Sequence, residues 1–304
     1  MGAFRVTQGM MVTRSLNDLN FQTRRLLQLQ ERLSTGLEVN NPSDDPLAAR
    51  RAVNIRGIIS KQEQYLNNVS STGQQLLEST TSLQTAISAL QRVRDLTLQG
   101  ANGTNSQVQM NQIAIEVNQL LESVFVEANH QTNGRYVFGG TRTLTAPFVA
   151  TRDANNQITS ATYAGNDENI EVAVTDGISV KINETGQRAF LSTQDIIKTL
   201  IDVRDNLLAG DKTSLQTERL TELVDAQNQL LISVAALGAT QNRMDSLTFN
   251  GEAYVQQLRV ALSDSIDADY AETVVNLNAQ TNAYQAALNS TARVIQPTLL
   301  DFLR

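Results

Sequence analysis

Residues able to carry acid–base, nucleophilic or metal chemistry are few in this sequence and widely separated. There is one histidine, His130, and there is no cysteine. Asp44 and Asp45 stand side by side before a proline, and Asp267 and Asp269 stand two residues apart. A catalytic base needs a residue that orients it and a nucleophile within reach, and no such set can be proposed around His130. We therefore expect His130 to be a surface residue.

The acidic pairs and the clustered glycines are better explained by local structure than by ligand binding. Calcium needs more oxygen ligands, at loop spacing, than the first acidic pair supplies. The second pair, two apart on a helix, would point to different faces. Gly134, Gly139 and Gly140 lack the lysine and the helix start of a phosphate-binding loop. Without cysteine, disulfides and thiolate metal sites are excluded. We predict no enzymatic activity, no cofactor and no metal.

Composition favours long helices over one dense globule. The chain has 304 residues, no tryptophan and only 5% aromatic residues, so burial must come from small aliphatic side chains spread along extended surfaces. A formal charge of -7 argues against nucleic acid or an anionic membrane as partner, because such partners need a basic surface. No apolar run is long enough to span a membrane, and the first residues lack the pattern of a secretory signal.

The stretch that must position everything else is residues 33–49, which read LSTGLEVNNPSDDPLAA. Gly36 can end a helix by adopting the left-handed conformation, which costs glycine little free energy. Asp45 is a good N-cap, and Pro46 is pre-organised for the first helical position. The same residues would also suit a plain corner between two helices. The preceding helix carries a coiled-coil seam with Thr23 and Gln30 in its polar slots; its apolar members are Val12, Leu16, Leu19, Leu26 and Leu33.

The remaining chain alternates between helical and strand periodicity. A long helix is predicted over residues 45–100, and a third helix after a turn at 101–105 should pack against it antiparallel. Residues 136–190 form a small β-rich insert, with strands at 170–174 and 178–182 around an Asp-Gly turn. Helix resumes near residue 193 and breaks around Gly210. A long periodic run then continues from residue 220 to the end of the chain.

The two ends of the chain both carry apolar seams, and each seam needs a partner helix. Between Val255 and Leu277 the apolar stripe repeats every eleven residues, and a seven-residue repeat returns with Tyr284, Leu288 and Ile295. We therefore expect a mainly α, elongated molecule whose terminal helices pair as coiled coils, with the β domain at the far end. The predicted domains are residues 1–44 with 264–304, residues 45–135 with 191–263, and residues 136–190.

Five segments resemble the bacterial flagellin family, and they occur along this chain in the same order as in that family. Residues 33–49 match its amino-terminal signature, and residues 233–243 (SVAALGATQNR) and 267–277 (DADYAETVVNL) match its carboxy-terminal half. Residues 134–148 (GRYVFGGTRTLTAPF) and 286–303 (AALNSTARVIQPTLLDFL) are most similar to the branch of the family that joins the flagellar hook to the filament.

The resemblance implies a structural subunit of the flagellum, exported through the flagellar type III apparatus and located outside the cell. It implies a homo-oligomeric ring that contacts the adjacent hook-associated protein on one side and flagellin on the other. The residues that take part in assembly would be the seam of the first helix, the corner at Gly36, Asp45 and Pro46, and Leu277. An export chaperone would hold the last helix in the cytoplasm; the candidate contacts are Tyr284, Leu288, Ile295, Leu300 and Phe302.

Two other functions compete with this hypothesis. The first is the filament subunit itself, which would grow long polymers from seeds without limit. The second is a helical sensory or adhesin coiled coil, which would need a membrane anchor or signal and would not need a β insert between two halves that pair. No feature of the sequence supports an enzymatic function.

Overall fold

A computed structural model describes residues 8–295, which divide into two compact units. Within the described residues, the first unit comprises residues 8–61 and 254–295, and the second comprises residues 62–253. Helix α1 (Gln8–Thr35) and helix α8 (Tyr270–Ile295) belong to the first unit. Two long helices, α2 (Pro46–Gly100) and α7 (Leu220–Ile266), contribute residues to both units. The predicted division into three domains is finer than this one and stays a prediction.

The second unit contains the remaining elements. Its helices are α3 (Gln107–Ala128), α4 (Gly186–Phe190), α5 (Ile196–Ala209) and α6 (Lys212–Ser214), followed by a π-helical turn (Leu215–Arg219) that leads into α7. Its strands are β1 (Gln131–Thr132), β2 (Arg135–Tyr136), β3 (Phe148–Arg152), β4 (Ile158–Tyr163), β5 (Glu171–Thr175) and β6 (Ile178–Lys181). The prediction of a mainly helical protein with a small β-containing middle region is confirmed.

Helix ends in the second unit follow the local chemistry of the sequence. Ser106 and Gln109 form a capping box that starts α3, the side chain of each bonding the backbone of the other. Gly210 ends α5 with φ of 73°, in the left-handed region that glycine adopts at little cost. α3 packs against α2 as predicted: the Ser82 hydroxyl on α2 donates to the Glu127 carbonyl at 2.9 Å, across 45 residues of chain.

The strands form three separate antiparallel hairpins, β1–β2, β3–β4 and β5–β6. The predicted strands around Asp176-Gly177 are confirmed as β5 and β6, which pair Val172 with Val180 and shift register near Ala173. Hairpin β1–β2 begins before the predicted insert and turns at Asn133-Gly134, where both residues have positive φ. This dihedral pattern is that of a tight two-residue hairpin turn.

The hairpins are joined to the helices by an aromatic cluster, which consists of Phe138, Phe148, Tyr163 and Phe190. The rings of Phe138 and Phe190 meet edge to face at 5.4 Å, and those of Phe148 and Phe190 at 5.5 Å. The Tyr163 hydroxyl donates to the Phe138 carbonyl at 3.0 Å. A Cβ at Gly186 would lie 2.8 Å from the Phe148 ring, so this close approach requires glycine.

Candidate assembly surface

The corner between α1 and α2 is bound to a second corner, between α7 and α8. Gly36 has φ of 72°, and its N–H donates to the Arg32 carbonyl at 2.9 Å, which ends α1. The Glu38 N–H donates to the Ile266 carbonyl at 2.7 Å, and the Ala268 N–H donates to the Gly36 carbonyl at 2.9 Å. These backbone bonds hold the start of α8 beside the end of α1.

Each corner restarts its helix with an aspartate. Asp45 accepts from the N–H groups of Leu47 at 2.8 Å and Ala48 at 2.9 Å, which places it as the N-cap of α2, as predicted. Asp269 accepts from the N–H groups of Ala271 at 2.8 Å and Glu272 at 3.0 Å, and it caps α8 in the same way. Neither acidic pair was predicted to bind metal, and each contributes one cap to a corner.

The second corner interrupts the apolar stripe that repeats every eleven residues between Val255 and Leu277. α7 ends at Ile266 and α8 begins at Tyr270. The apolar spacing continues across the corner, so periodicity alone does not reveal the break. A break needs a capping residue and a stabilised carbonyl, which Asp269 and the bond from Glu38 provide.

Removing the cap at the first corner should destabilise the first unit locally. Asp45→Ala leaves two N–H groups of α2 without their acceptor, and N-cap replacements of this kind cost about 0.5–2 kcal/mol. Asp45→Asn, which keeps an accepting oxygen, should retain most of the stability. Hydrogen exchange of the Leu47 and Ala48 amides measures the effect, and equal protection in the Ala and Asn variants would contradict the capping role.

Helices α1 and α8 pack antiparallel, since the corner joins the end of α1 to the start of α8 and Gln22 meets Gln280 further along. On α1 the half-buried positions that recur every seven residues form two lines: Val12, Leu19, Leu26 and Leu33, and Ser15, Gln22 and Leu29. On α8 the corresponding lines are Leu277, Tyr284 and Thr291, and Thr273, Gln280 and Ala287. The predicted pairing of the terminal helices through seven-residue seams is confirmed.

The seam differs from the prediction in one of its two lines. Leu16 was placed on the seam, but it is 47% exposed, and the second line on α1 runs through Ser15 instead. Leu288 is likewise 42% exposed beside the half-buried Ala287. In both helices one of the two lines that face the partner carries mostly small or polar residues, and the neighbouring apolar position, Leu16 or Leu288, is exposed instead. The four apolar α1 positions, Leu277 and Tyr284 lie on the seam.

The side-chain positions of three predicted contact residues are not described. Ile295 is the last residue of α8, and only its backbone position is described. Leu300 and Phe302 lie outside the described residues. Their assignment to a chaperone or assembly contact therefore stays a prediction, as does that of the other residues of this surface.

Sequence reasoning missed the polar centre of the pair. Thr273, Gln280 and Thr291 are the buried residues of α8, and each is polar. The Gln280 amide donates to the Gln22 carbonyl at 3.2 Å and contacts the Gln22 side-chain oxygen. The Thr273 hydroxyl donates to the Asp269 carbonyl at 2.6 Å. The spacing could have revealed two of these residues, because Thr273 and Gln280 are seven positions apart and Ala287 continues the same line.

Outside this seam, the first unit exposes many large apolar side chains. They lie on α1, α2, α7 and α8, and the most exposed are Met10, Phe21, Leu27, Leu47, Val53, Tyr270 and Val275. Scattered apolar side chains on a surface are ordinary, but so many in one small unit leave apolar area that a monomer does not cover. This surface, together with Leu16 and Leu288, is the one we call the assembly surface.

The single histidine lies in the second unit and is engaged in local contacts. His130 is half-buried, with its Nε2 3.4 Å from the Glu78 carboxylate and its Nδ1 3.8 Å from that of Glu127. Within residues 8–295, no group of three histidine, cysteine or acidic side chains is arranged to hold a metal ion. Over the same residues, every helix is too short or too polar to cross a membrane.

Two family models match this chain in sequence order. The bacterial flagellin N-terminal helical region matches residues 6–143, and the bacterial flagellin C-terminal helical region matches residues 220–303. Flagellar hook-associated protein 3 of Escherichia coli K12 is 27% identical over 308 residues, covering 93% of this chain and 94% of that protein. A flagellin of Salmonella muenchen is 27% identical over 292 residues, covering 93% of this chain but 52% of that protein.

Solved structures share the fold. FlgL of Bacillus cereus superposes with a TM-score of 0.57 at 25% identity, covering 70% of this chain and 99% of that structure. Hook-associated protein 3 of Legionella pneumophila has a TM-score of 0.60 at 18% identity, covering 69% and 97%, and supports the fold. With both terminal helical regions matched and the fold shared, the chain belongs to the bacterial flagellin family.

Proposed function

We propose that this chain is the structural subunit that joins the flagellar hook to the filament. The observation that carries the proposal is the end-to-end match with hook-associated protein 3, which spans 94% of that protein as well as 93% of this chain. The matched flagellin of Salmonella muenchen is about twice as long, since only 52% of it is covered. The role proposed is architectural, without catalysis or cofactor.

The assembly surface supports a subunit that is completed by its neighbours. α1 and α8 bury a narrow and partly polar seam, and their outer faces expose apolar side chains. Because burial of apolar area drives association, neighbouring copies in a ring would cover these faces. The ring would rest on the preceding hook-associated protein and present its other side to flagellin.

The last helix would serve two partners in succession. Before export, a dedicated chaperone would cover Leu288, Ile295, Leu300 and Phe302 in the cytoplasm, in the manner of a helix bound in a groove. After passage through the type III apparatus, the same face would join the ring. One apolar face cannot contact both partners together, so chaperone binding and assembly would exclude each other.

A second candidate is the filament subunit itself. The observation in its favour is the 33 kDa flagellar filament core protein of Treponema phagedenis, which is 26% identical and matched over 97% of both chains. Chain length therefore does not separate the two functions. They differ in whether assembly stops after one ring or continues.

Deletion of the gene separates the two candidates. If this chain is the junction subunit, the deletion strain should retain hooks, lack filaments and release unpolymerised flagellin into the medium. If it is the filament subunit, purified protein should elongate seeds without limit, and the deletion strain should release no other flagellin. Either of these last two results would overturn the junction assignment.

The assembly surface is tested by Leu288→Asp combined with Ile295→Asp. The two added charges should abolish both chaperone binding and motility, since a charge cannot be buried in an apolar contact without a partner. Leu144→Asp is the matched control, because this leucine is 80% exposed in the second unit and lies outside the proposed surface. Normal motility of the double variant would refute the role of this face.

A further inference from the structure

The geometry points to Asn102 as a site of spontaneous covalent modification, which we propose deamidates faster in the folded chain than any other Asn-Gly pair. The main-chain nitrogen of Gly103 gives up its proton to water and attacks the Asn102 side-chain carbonyl carbon, forming a C–N bond. The C–N bond to the side-chain amide breaks, and the nitrogen leaves as ammonia after taking a proton. Water then opens the resulting five-membered imide, leaving aspartate or isoaspartate. No oxidant, cofactor or enzyme is needed.

The sequence contains three Asn-Gly pairs, and the fold places them in three different environments. Asn102-Gly103 lies in the exposed turn between α2 and α3, Asn133-Gly134 is the hairpin turn of β1–β2, and Asn250-Gly251 lies inside α7. Glycine after asparagine leaves the attacking nitrogen unhindered in all three. Differences in their rates therefore report on structure rather than on the local sequence.

At Asn102 the carbonyl that is attacked already has two donors. The Thr104 N–H and the Thr104 hydroxyl both point at the Asn102 Oδ1, at 3.3 and 3.2 Å. Attack turns this oxygen into an oxyanion, and hydrogen bonds to a developing negative charge are stronger than those to a neutral carbonyl. Donors already in place therefore favour the transition state over the ground state.

The attacking nitrogen at this turn is also available. Across the described part of the chain, the backbone hydrogen bonds outside regular elements include none donated by Gly103. Asn102 and Gly103 are both exposed, so water can reach the imide once it forms. The turn thus has a free nucleophile, a polarised carbonyl and access to solvent.

The other two pairs lack one or more of these features. Asn133 has φ of 52° in a turn that two short strands hold in place, and none of the described side-chain hydrogen bonds polarises its amide. Gly251 is in the helical hydrogen-bond ladder and is buried; a Cβ there would lie 2.8 Å from Leu66 Cδ2. We expect the rate order Asn102, then Asn133, then Asn250.

Modification would alter a turn that other elements hold. The Lys212 ammonium donates to the carbonyls of Gly103 at 3.0 Å and Asn105 at 2.9 Å, and the Gln216 amide donates to that of Ala101 at 2.7 Å. A new carboxylate would lie near the negative end of α2 and near this ammonium. Isoaspartate would also add a methylene to the main chain, which displaces these carbonyls from their donors.

The test is peptide mapping of the full chain aged at neutral pH, native and in guanidinium, with aspartate and isoaspartate quantified at each pair. Thr104→Val removes the hydroxyl donor and keeps the shape of the side chain, and Thr104→Ser restores the donor. In the native chain, valine should slow Asn102 by about three- to tenfold, the rate change that loss of one exposed hydrogen bond carries. Serine should restore the rate, and Asn133 should be unaffected.

The denatured sample supplies the reference for the effect of folding. In guanidinium the three pairs should react at similar rates, and valine at position 104 should have no effect. Only the native sample should then show the fast Asn102 and the protected Asn250. The proposal is overturned if native Asn133 reacts faster than Asn102, or if valine leaves the native Asn102 rate unchanged.

Discussion

Phe190→Ala should lower the free energy of unfolding of the second unit by about 3–5 kcal/mol, the cost of deleting a buried aromatic ring. Phe190 is fully buried at the end of α4, and its ring packs edge to face on Phe138 and Phe148. The substitution removes both ring pairs and leaves a cavity between the hairpins and the helices. Because the interior is close-packed, such a cavity is closed only in part by relaxation of its neighbours.

The measurement is unfolding by denaturant, monitored with a spectroscopic probe in the second unit. Phe249→Ala is the matched control, because this phenylalanine is 74% exposed on α7 in the same unit. The control should change stability by less than about 1 kcal/mol, as is usual for exposed positions. A similar loss in the two variants would mean that the aromatic cluster is not the structural link assigned to it.

Periodicity predicted the helices well because their apolar faces pack against long partners. The predicted helix from residue 45 to 100 is α2, Gly210 ends α5, and the Asp-Gly turn separates β5 from β6. Each of these depends on the residue at the boundary and on its immediate neighbours. Capping and turn preferences are local properties, so they can be read from a single sequence.

Sequence reasoning failed where a contact joins residues that are distant along the chain. Phe190 and Phe148 were not predicted as one cluster, because their proximity depends on how two hairpins fold onto α4. The break at Asp267 depends on a bond from Glu38, more than two hundred residues earlier. The apolar pattern of the sequence predicts neither the aromatic cluster nor this break, since it describes each helix without its partner.

The candidate site shows the same limit in a different form. Four apolar positions of α1 were placed correctly on a line that repeats every seven residues, whereas the second predicted line, Leu16 with Thr23 and Gln30, lies one position away from the line that packs. The line that is used instead contains Gln22, whose partner is Gln280. A polar pair in a helix seam fixes the register of the two helices, and the choice of flank follows from that register.

The carboxyl of Glu184 gives the second unit a stability that depends on pH. Glu184 is only 7% exposed, and the pKa of this carboxyl is raised from 4.5 to about 7, mainly by burial. The nearby charge of Asp167 contributes to this rise, and a hydrogen bond with Ser233 opposes it. The Lys181 ammonium lies 3.6 Å away and moderates the cost of the buried charge.

The direction of the effect follows from the two protonation states. Between pH 4.5 and about 7 the folded chain holds a proton on Glu184 that the unfolded chain has released. The stability that this proton contributes is fully present below pH 4.5 and is lost as the pH rises through about 7. Above that pH the folded unit carries a buried carboxylate.

Glu184→Gln should therefore stabilise the second unit above pH 7 by about 1–3 kcal/mol, because the amide has the shape of the protonated acid and no charge. The advantage should shrink as the pH falls and vanish near pH 4.5, where wild-type Glu184 is protonated. Unfolding midpoints measured across this range test the prediction. Glu171→Gln, at an exposed position of β5, is the control and should show no comparable crossover. If Glu184→Gln proves less stable than wild type above pH 7, the pair with Lys181 outweighs the cost of burial.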